Sequence, residues 1–322
     1  MILPVGSLAE GLLYREVNLL AGYRHEEKVI STFNERMKNS IGMEYFHPFA
    51  NDYGDFLTGD LQLRLSYDST TERQDAWALE VHSAWLEYRP GLGKAFTVGH
   101  FTPPFGLETA LDTHSTLHQT LASHAIGFKK DWGLAYRSFV GRYNWQTAVQ
   151  LGSGMGLEHR HGSYLLSTRI STTVADAGRY GLSLMTGNTL TTEQFRTLPA
   201  PEWGVKSVEK KGIALDWEQT LGITILRGEL HMGRRESATT AGVMTEWLTA
   251  IPDFQEITLK IQGFYWTDDW QKKAGRTLTL FPVAEYRLSN TTTIRLGYAH
   301  EFSSTAQEKD RLLLLQLYYY GQ

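Results

Sequence analysis

Cysteine is absent from the 322 residues, which excludes disulfides, thiolate metal sites and covalently attached c-type haem. Proline is sparse at 9 residues against 30 glycines, a balance that suits many strands joined by turns. An excess of either charge is lacking too: the net charge of −4 gives no basis for nucleic acid as a partner and selects neither anions nor cations. No stretch approaches the roughly 18 apolar residues of a membrane-spanning helix. The longest candidate, 312–320, is interrupted by Gln316. The opening MILPVGSLAEG lacks the basic and apolar regions of a secretory signal, so the numbering is read as that of a chain from which a signal has been removed.

What the sequence has in abundance is alternation. Within 57–67, Leu57, Leu61, Leu63, Leu65 and Tyr67 share one parity, and Thr58, Asp60, Gln62, Arg64 and Ser66 the other. A period of two places the apolar set on one face of a strand and the polar set on the opposite face. The same pattern recurs at Val17, Leu19, Ala21 and Tyr23, at Ile41, Met43 and Tyr45, and through to Leu313, Leu315, Leu317 and Tyr319. In 75–88 the parity changes between Val81 and Ala84, which predicts a β-bulge near His82.

Connection lengths alternate as well. Tight turns at 90–93, 140–142, 173–178, 221–222, 252–253 and 289–291 fall at one end, and longer segments at 25–38, 101–131, 152–162 and 188–210 at the other. An even number of antiparallel strands with short turns at one end and long loops at the other marks an outer-membrane barrel. Tyr and Trp near strand ends, such as Trp77, Trp145, Tyr164 and Tyr265, suit the boundary between hydrocarbon and headgroups. The fold class is therefore read as all-β: a transmembrane antiparallel β-barrel of about 16 strands with a long third external loop. Residues 1–11 form a lead-in and 12–320 a single domain whose apolar face meets bacterial outer-membrane lipid.

The longest connection, 101–131, has no strand partner, and a connection of that length inside a compact domain is usually functional or disordered. A Pro103-Pro104-Phe105-Gly106 break stops the strand before it, and 109–123 is able to form a helix with Leu111, Leu117 and Leu121 turned to the barrel wall. His114 and His118 would then share a helix face. A zinc site needs a third ligand and a supporting shell, so no metal or cofactor is read here and the histidines are taken as ionisable groups open to the lumen. The segment also carries Glu108, Asp112, Lys129 and Lys130, while strand parity puts Arg64, Arg137 and Arg169 on polar faces. Together these are the candidate pore-lining and constriction residues. Two smaller clusters, His159-Arg160-His161 and Asp52-Tyr53-Gly54-Asp55, read as a solvated loop tip and a polar turn.

One stretch resembles a known family. Val98-Gly99-His100-Phe101-Thr102-Pro103-Pro104-Phe105-Gly106-Leu107-Glu108 is similar to the strand-to-loop motif of the phosphate-selective porin O/P family. Ala84-Trp85-Leu86-Glu87-Tyr88-Arg89-Pro90 resembles that family's preceding strand. The resemblance implies a trimeric outer-membrane channel whose third loop folds into the lumen and narrows it. Thr102 stands where the phosphate-selecting members usually carry a basic residue, and the loop's charges are mixed, so the resemblance carries the channel class further than it carries phosphate.

The first functional expectation is thus a passive channel for small hydrophilic solutes or ions, a possible homotrimer, with 101–131 as its constriction. A second is a sheath enclosing a periplasmic or cytochrome partner, for example a multihaem cytochrome. A third is a barrel enzyme, for which Ser115 beside His114 and His118 is the only local nucleophile and base. A soluble all-β protein is the remaining alternative. A long inward loop would obstruct a sheath and no catalytic motif is present, so the order is channel, sheath, enzyme.

Overall fold

The computed structural model describes residues 11–25, 29–31, 39–51, 54–67, 77–111, 116–157, 159–174, 178–190, 206–272, 275–303 and 311–322. Alternation becomes strand almost throughout. The first half holds β1 (Leu12–Arg24), β2 (Val29–Ser31), β3 (Asn39–Asn51), β4 (Gly54–Tyr67), β5 (Trp77–Gly91), β6 (Lys94–Phe101), β7 (Asp131–Val140) and β8 (Tyr143–Gln150). The second holds β9 (Tyr164–Val174), β10 (Gly178–Leu190), β11 (Ser207–Leu221), β12 (Thr224–Arg235) and β13 (Ala238–Ile251). β14 (Phe254–Thr267), β15 (Thr277–Arg287), β16 (Thr292–Ser303) and β17 (Arg311–Gly321) complete it.

Apart from β2 and β3, each strand pairs antiparallel with its neighbour in sequence, and β17 pairs with β1 from Arg15↔Gly321 to Arg24↔Leu312, so the sheet has no edge. β2 and β3 both lie on β1, β2 against residues 22–24 and β3 against residues 12–18, and form two parts of one stave. The seventeen segments therefore make a closed barrel of sixteen staves. Closure removes the unpaired backbone groups that no open sheet can satisfy in hydrocarbon.

The predicted faces are the observed ones. In β4, Thr58, Asp60, Gln62 and Ser66 are buried on the inside, while Leu61 and Leu65 are exposed outside. Leu79 at 69% and Val149 at 59% exposure stand on the same outer surface as Ile41, Met232 and Leu315. Water would not tolerate a continuous exposed apolar belt of this kind; lipid chains cover it. The register of β4 on β5 passes from Gln62↔Ser83 to Leu63↔Val81, so His82 is the extra residue that reverses the parity.

The length rule for connections is less strict than the sequence suggests. β12 and β13 meet at the long-loop end through only Glu236 and Ser237, with Glu236 at φ 55° to close the hairpin.

Candidate functional site

Gly99-His100-Phe101 ends β6, and the chain then turns into the barrel. Both ends of the connection are fastened at one point: Gln150 Nε2 donates to the Phe101 carbonyl at 3.1 Å and to the Asp131 carbonyl at 3.0 Å. Asp131 itself, fully buried, accepts backbone N–H groups from Gly152 (2.6 Å), Ser153 (3.2 Å) and Gly154 (3.0 Å). Its carboxylate pins the next external loop instead of presenting charge to the lumen. The sequence shows an acidic residue beside two lysines and gives no sign of this use.

Gly106 needs to be glycine twice over. Its φ of 63° lies in the left-handed region, and a Cβ would collide with Glu229 Oε1 on β12. This close approach lets Gly106 N–H donate to Ser183 Oγ on β10 at 3.0 Å. A 3-10 turn at Leu107–Thr109 follows, and a short helix, α1 (Ala122–Ile126), lies near the end of the segment. Of the helix expected over 109–123 only the start of α1 at Ala122 and Ser123 forms among the described residues; before it, Gln119 and Leu121 use backbone groups on the wall.

Leu121 N–H donates to Glu229 Oε2 at 3.1 Å, and Gln262 Nε2 donates to the Gln119 carbonyl at 2.8 Å. His118 is held by both ring nitrogens: Nδ1 lies 2.6 Å from Glu246 Oε2 and Nε2 2.8 Å from the Phe281 carbonyl oxygen. It is therefore buried against β13 and β15, not open to the lumen as the spacing suggested. Lys210 Nζ and Thr189 Oγ1 both donate to the Ile126 carbonyl at the end of α1.

Apolar packing reinforces these bonds. Phe105, Leu107, Leu121, Ile126 and Phe128 form one cluster with inward residues of β9, β10, β11, β13 and β14, among them Met185, Met244 and Phe264. Leu117 enters a separate cluster with Leu20, Phe281, Val283, Leu312 and Leu314. Each such side chain is worth about 1.5–3 kcal/mol when fully buried. Leu111 packs against the first cluster, so Leu117 and Leu121 join clusters that include the wall and Leu111 lies against one of them. The segment thus leaves β6 and is held to the inner faces of the staves across the barrel.

Glu108 is buried and spent within the segment, accepting from Thr120 Oγ1 at 2.5 Å. Lys129 and Lys130 are half-buried at its end. Asp112 and His114 lie outside the described residues, as does Ser115. Arg64 donates to Glu16 at 3.1 Å, Arg137 Nη2 to both oxygens of Glu87 at 3.0 and 3.1 Å, and Arg169 bidentately to Asp216 at 3.1 and 2.6 Å.

These arginines belong to a wider arrangement. Arg179 donates to Glu218, which also receives Arg227, whose other arm reaches Glu246 at 3.0 Å. Further round, Lys260 (2.9 Å) and Arg295 (2.6 Å) both bind Glu285 Oε2, and Arg295 continues to Gln316 and so to Asn18. Cation and anion alternate along each ladder, and side chains such as Arg227 and Lys260 keep about a fifth of their surface open. Between this ladder and residues 116–120 lies a cavity of about 230 Å³, bordered by Arg227, Glu246, Lys260 and Arg295.

No family model matches the sequence, and no curated protein does either. Solved structures do match. Salmonella typhi OmpF in complex with daunomycin is 12% identical over 96% of this chain and 97% of its own, with a TM-score of 0.68. The barrel is of the porin type. An anion-selective porin from Comamonas acidovorans (11% identity, 97% of this chain and 99% of its own, TM-score 0.63) is similar too. So is the trimer form of the Vibrio cholerae outer-membrane protein OmpT (10%, 97% and 99%, TM-score 0.65). The likeness is one of fold, and it does not reach the phosphate-selective O/P family.

Proposed function

We infer that this chain is a passive channel of the bacterial outer membrane for small hydrophilic solutes and ions, with 101–131 as its constriction. The observation that carries this reading is the anchoring of that segment to the inner wall through Gly106, His118, Leu121 and Ile126, beside a ladder of partly exposed charges. A loop fixed at so many points narrows a lumen without sealing it by chance motion, and water is the medium that charged inward side chains require. Because the ladders alternate in sign and each ladder arginine is paired with a carboxylate, discrimination between anions and cations is weak. The homotrimer belongs to the same reading, supported by the trimer form of one structural neighbour.

Single-channel recording in a planar bilayer tests it. Discrete conductance steps are expected, with a reversal potential under a salt gradient that is small relative to the limit for a perfectly selective pore. A folded, inserted protein that stays silent would overturn the channel and point to a filled lumen, as a sheath around a cytochrome requires.

A further inference from the structure

The outer face of β9 to β13 carries a feature that transport through the lumen does not use. Register sets three parallel rows there. Leu182, Leu215, Leu230 and Val243 are in line across β10 to β13, and Thr168, Leu184, Ile213, Met232 and Ala241 form the row above. The third row, one step nearer the long-loop end, is Leu166, Thr186, Lys211, Arg234 and Thr239.

Two cations thus stand directly opposite each other, Lys211↔Arg234, at the top of an apolar face. Like charges in facing cross-strand positions are destabilising. Lys211 has an exposed partner in Glu209 at 2.6 Å, a contact of the kind that contributes little in water. Among the described residues Arg234 has no carboxylate partner. A groove of about 890 Å³ lies at this place, lined by Leu184, Ile213, Met232 and the exposed Trp270. Trp270 is fixed at its side by a backbone N–H donated to the Thr239 carbonyl at 2.7 Å.

We propose that this groove binds a phosphorylated, multiply acylated glycolipid of the external leaflet, its phosphate between Lys211 and Arg234 and its acyl chains on the apolar rows. The proposal rests on the outer-membrane reading above, which puts the long-loop end outside the cell. The middle row crosses five strands, so at about 4.8 Å per spacing the face is about 19 Å wide, room for several chains side by side. An anion between the two cations replaces their repulsion by charge-assisted hydrogen bonds, and the guanidinium fork suits phosphate oxygens. Trp270, with an apolar ring and a polar edge, sits at the depth where acyl chains meet headgroups.

The test is native mass spectrometry of the detergent-purified chain titrated with lipid A, with lipid A stripped of its phosphates, and with phosphatidylethanolamine. One tightly held lipid A per chain is expected, with affinity reduced tenfold or more both for the dephosphorylated lipid on the unaltered protein and for lipid A on K211A/R234A. Equal retention of the two lipid A forms by the unaltered protein would overturn the proposal, whether or not the variant folds, and so would equal retention of phosphatidylethanolamine. Conductance of the same preparation separates this idea from the channel: selective lipid A binding by a silent protein supports the groove and removes the channel. A conducting protein indifferent to phosphate does the reverse.

Discussion

At the scale of single residues the site is a set of close approaches with little slack. Gly106 is the tightest, since both its φ of 63° and the position of Glu229 exclude a side chain. Gly106→Ala is expected to cost about 1–3 kcal/mol, read as a lower unfolding temperature of the barrel in detergent. Adding Glu229→Ala removes the collision but leaves the backbone strain and takes away the acceptor of Leu121 N–H, so the double variant should recover at most part of the loss; full recovery would mean that neither the φ nor that bond carries a penalty. His118 acts differently, as a clasp with two acceptors, Glu246 and the Phe281 carbonyl. In His118→Ala, Glu246 keeps Arg227, so insertion should be normal while the open-channel current becomes larger and noisier. A current indistinguishable from the unaltered protein would show that the clasp does not hold the constriction.

At the scale of elements, the proposed channel turns on the third loop. Replacing 107–128 by a short glycine-serine link should leave the wall intact and raise conductance, whereas an unchanged conductance would mean the segment does not narrow the path. The wall was legible because a period of two in residues such as Leu61 and Gln62 maps directly onto lipid and lumen, and even the bulge at His82 left its mark as a change of parity. The loop was legible only in part. Its leucines were found, but a helix presents one face, whereas Leu117 and Leu121 go to two different clusters and so need an irregular backbone. The roles of Asp131 and Glu108 depend on residues distant in sequence, Gly152 to Gly154 and Thr120, and spacing cannot signal them.

For the whole molecule, the decisive property is the division between two solvents, and the cysteine-free chain makes it directly measurable. In a bilayer, Lys260→Cys on the inner face, which borders the cavity, should react with a small water-soluble maleimide, and Leu259→Cys on the outer face should not. Equal reaction of both would return the soluble all-β alternative. The alternating ladders make a second prediction at this scale. Neutralising one cation, as in Arg295→Gln, leaves Glu285 with Lys260 alone and should move the reversal potential toward cation preference, a shift absent if the current passes elsewhere.

The seam between β1 and β17 has a consequence in time. Arg15 must meet Gly321, so the ladder that closes the barrel joins the two most distant parts of the chain and cannot form until nearly all of it has been made. Until then β1 and the last completed strand offer bare backbone edges to any neighbour, and a sheet built on such distant pairing is slow to close. The interval before closure, not the finished barrel, is when this protein is most exposed to misassembly.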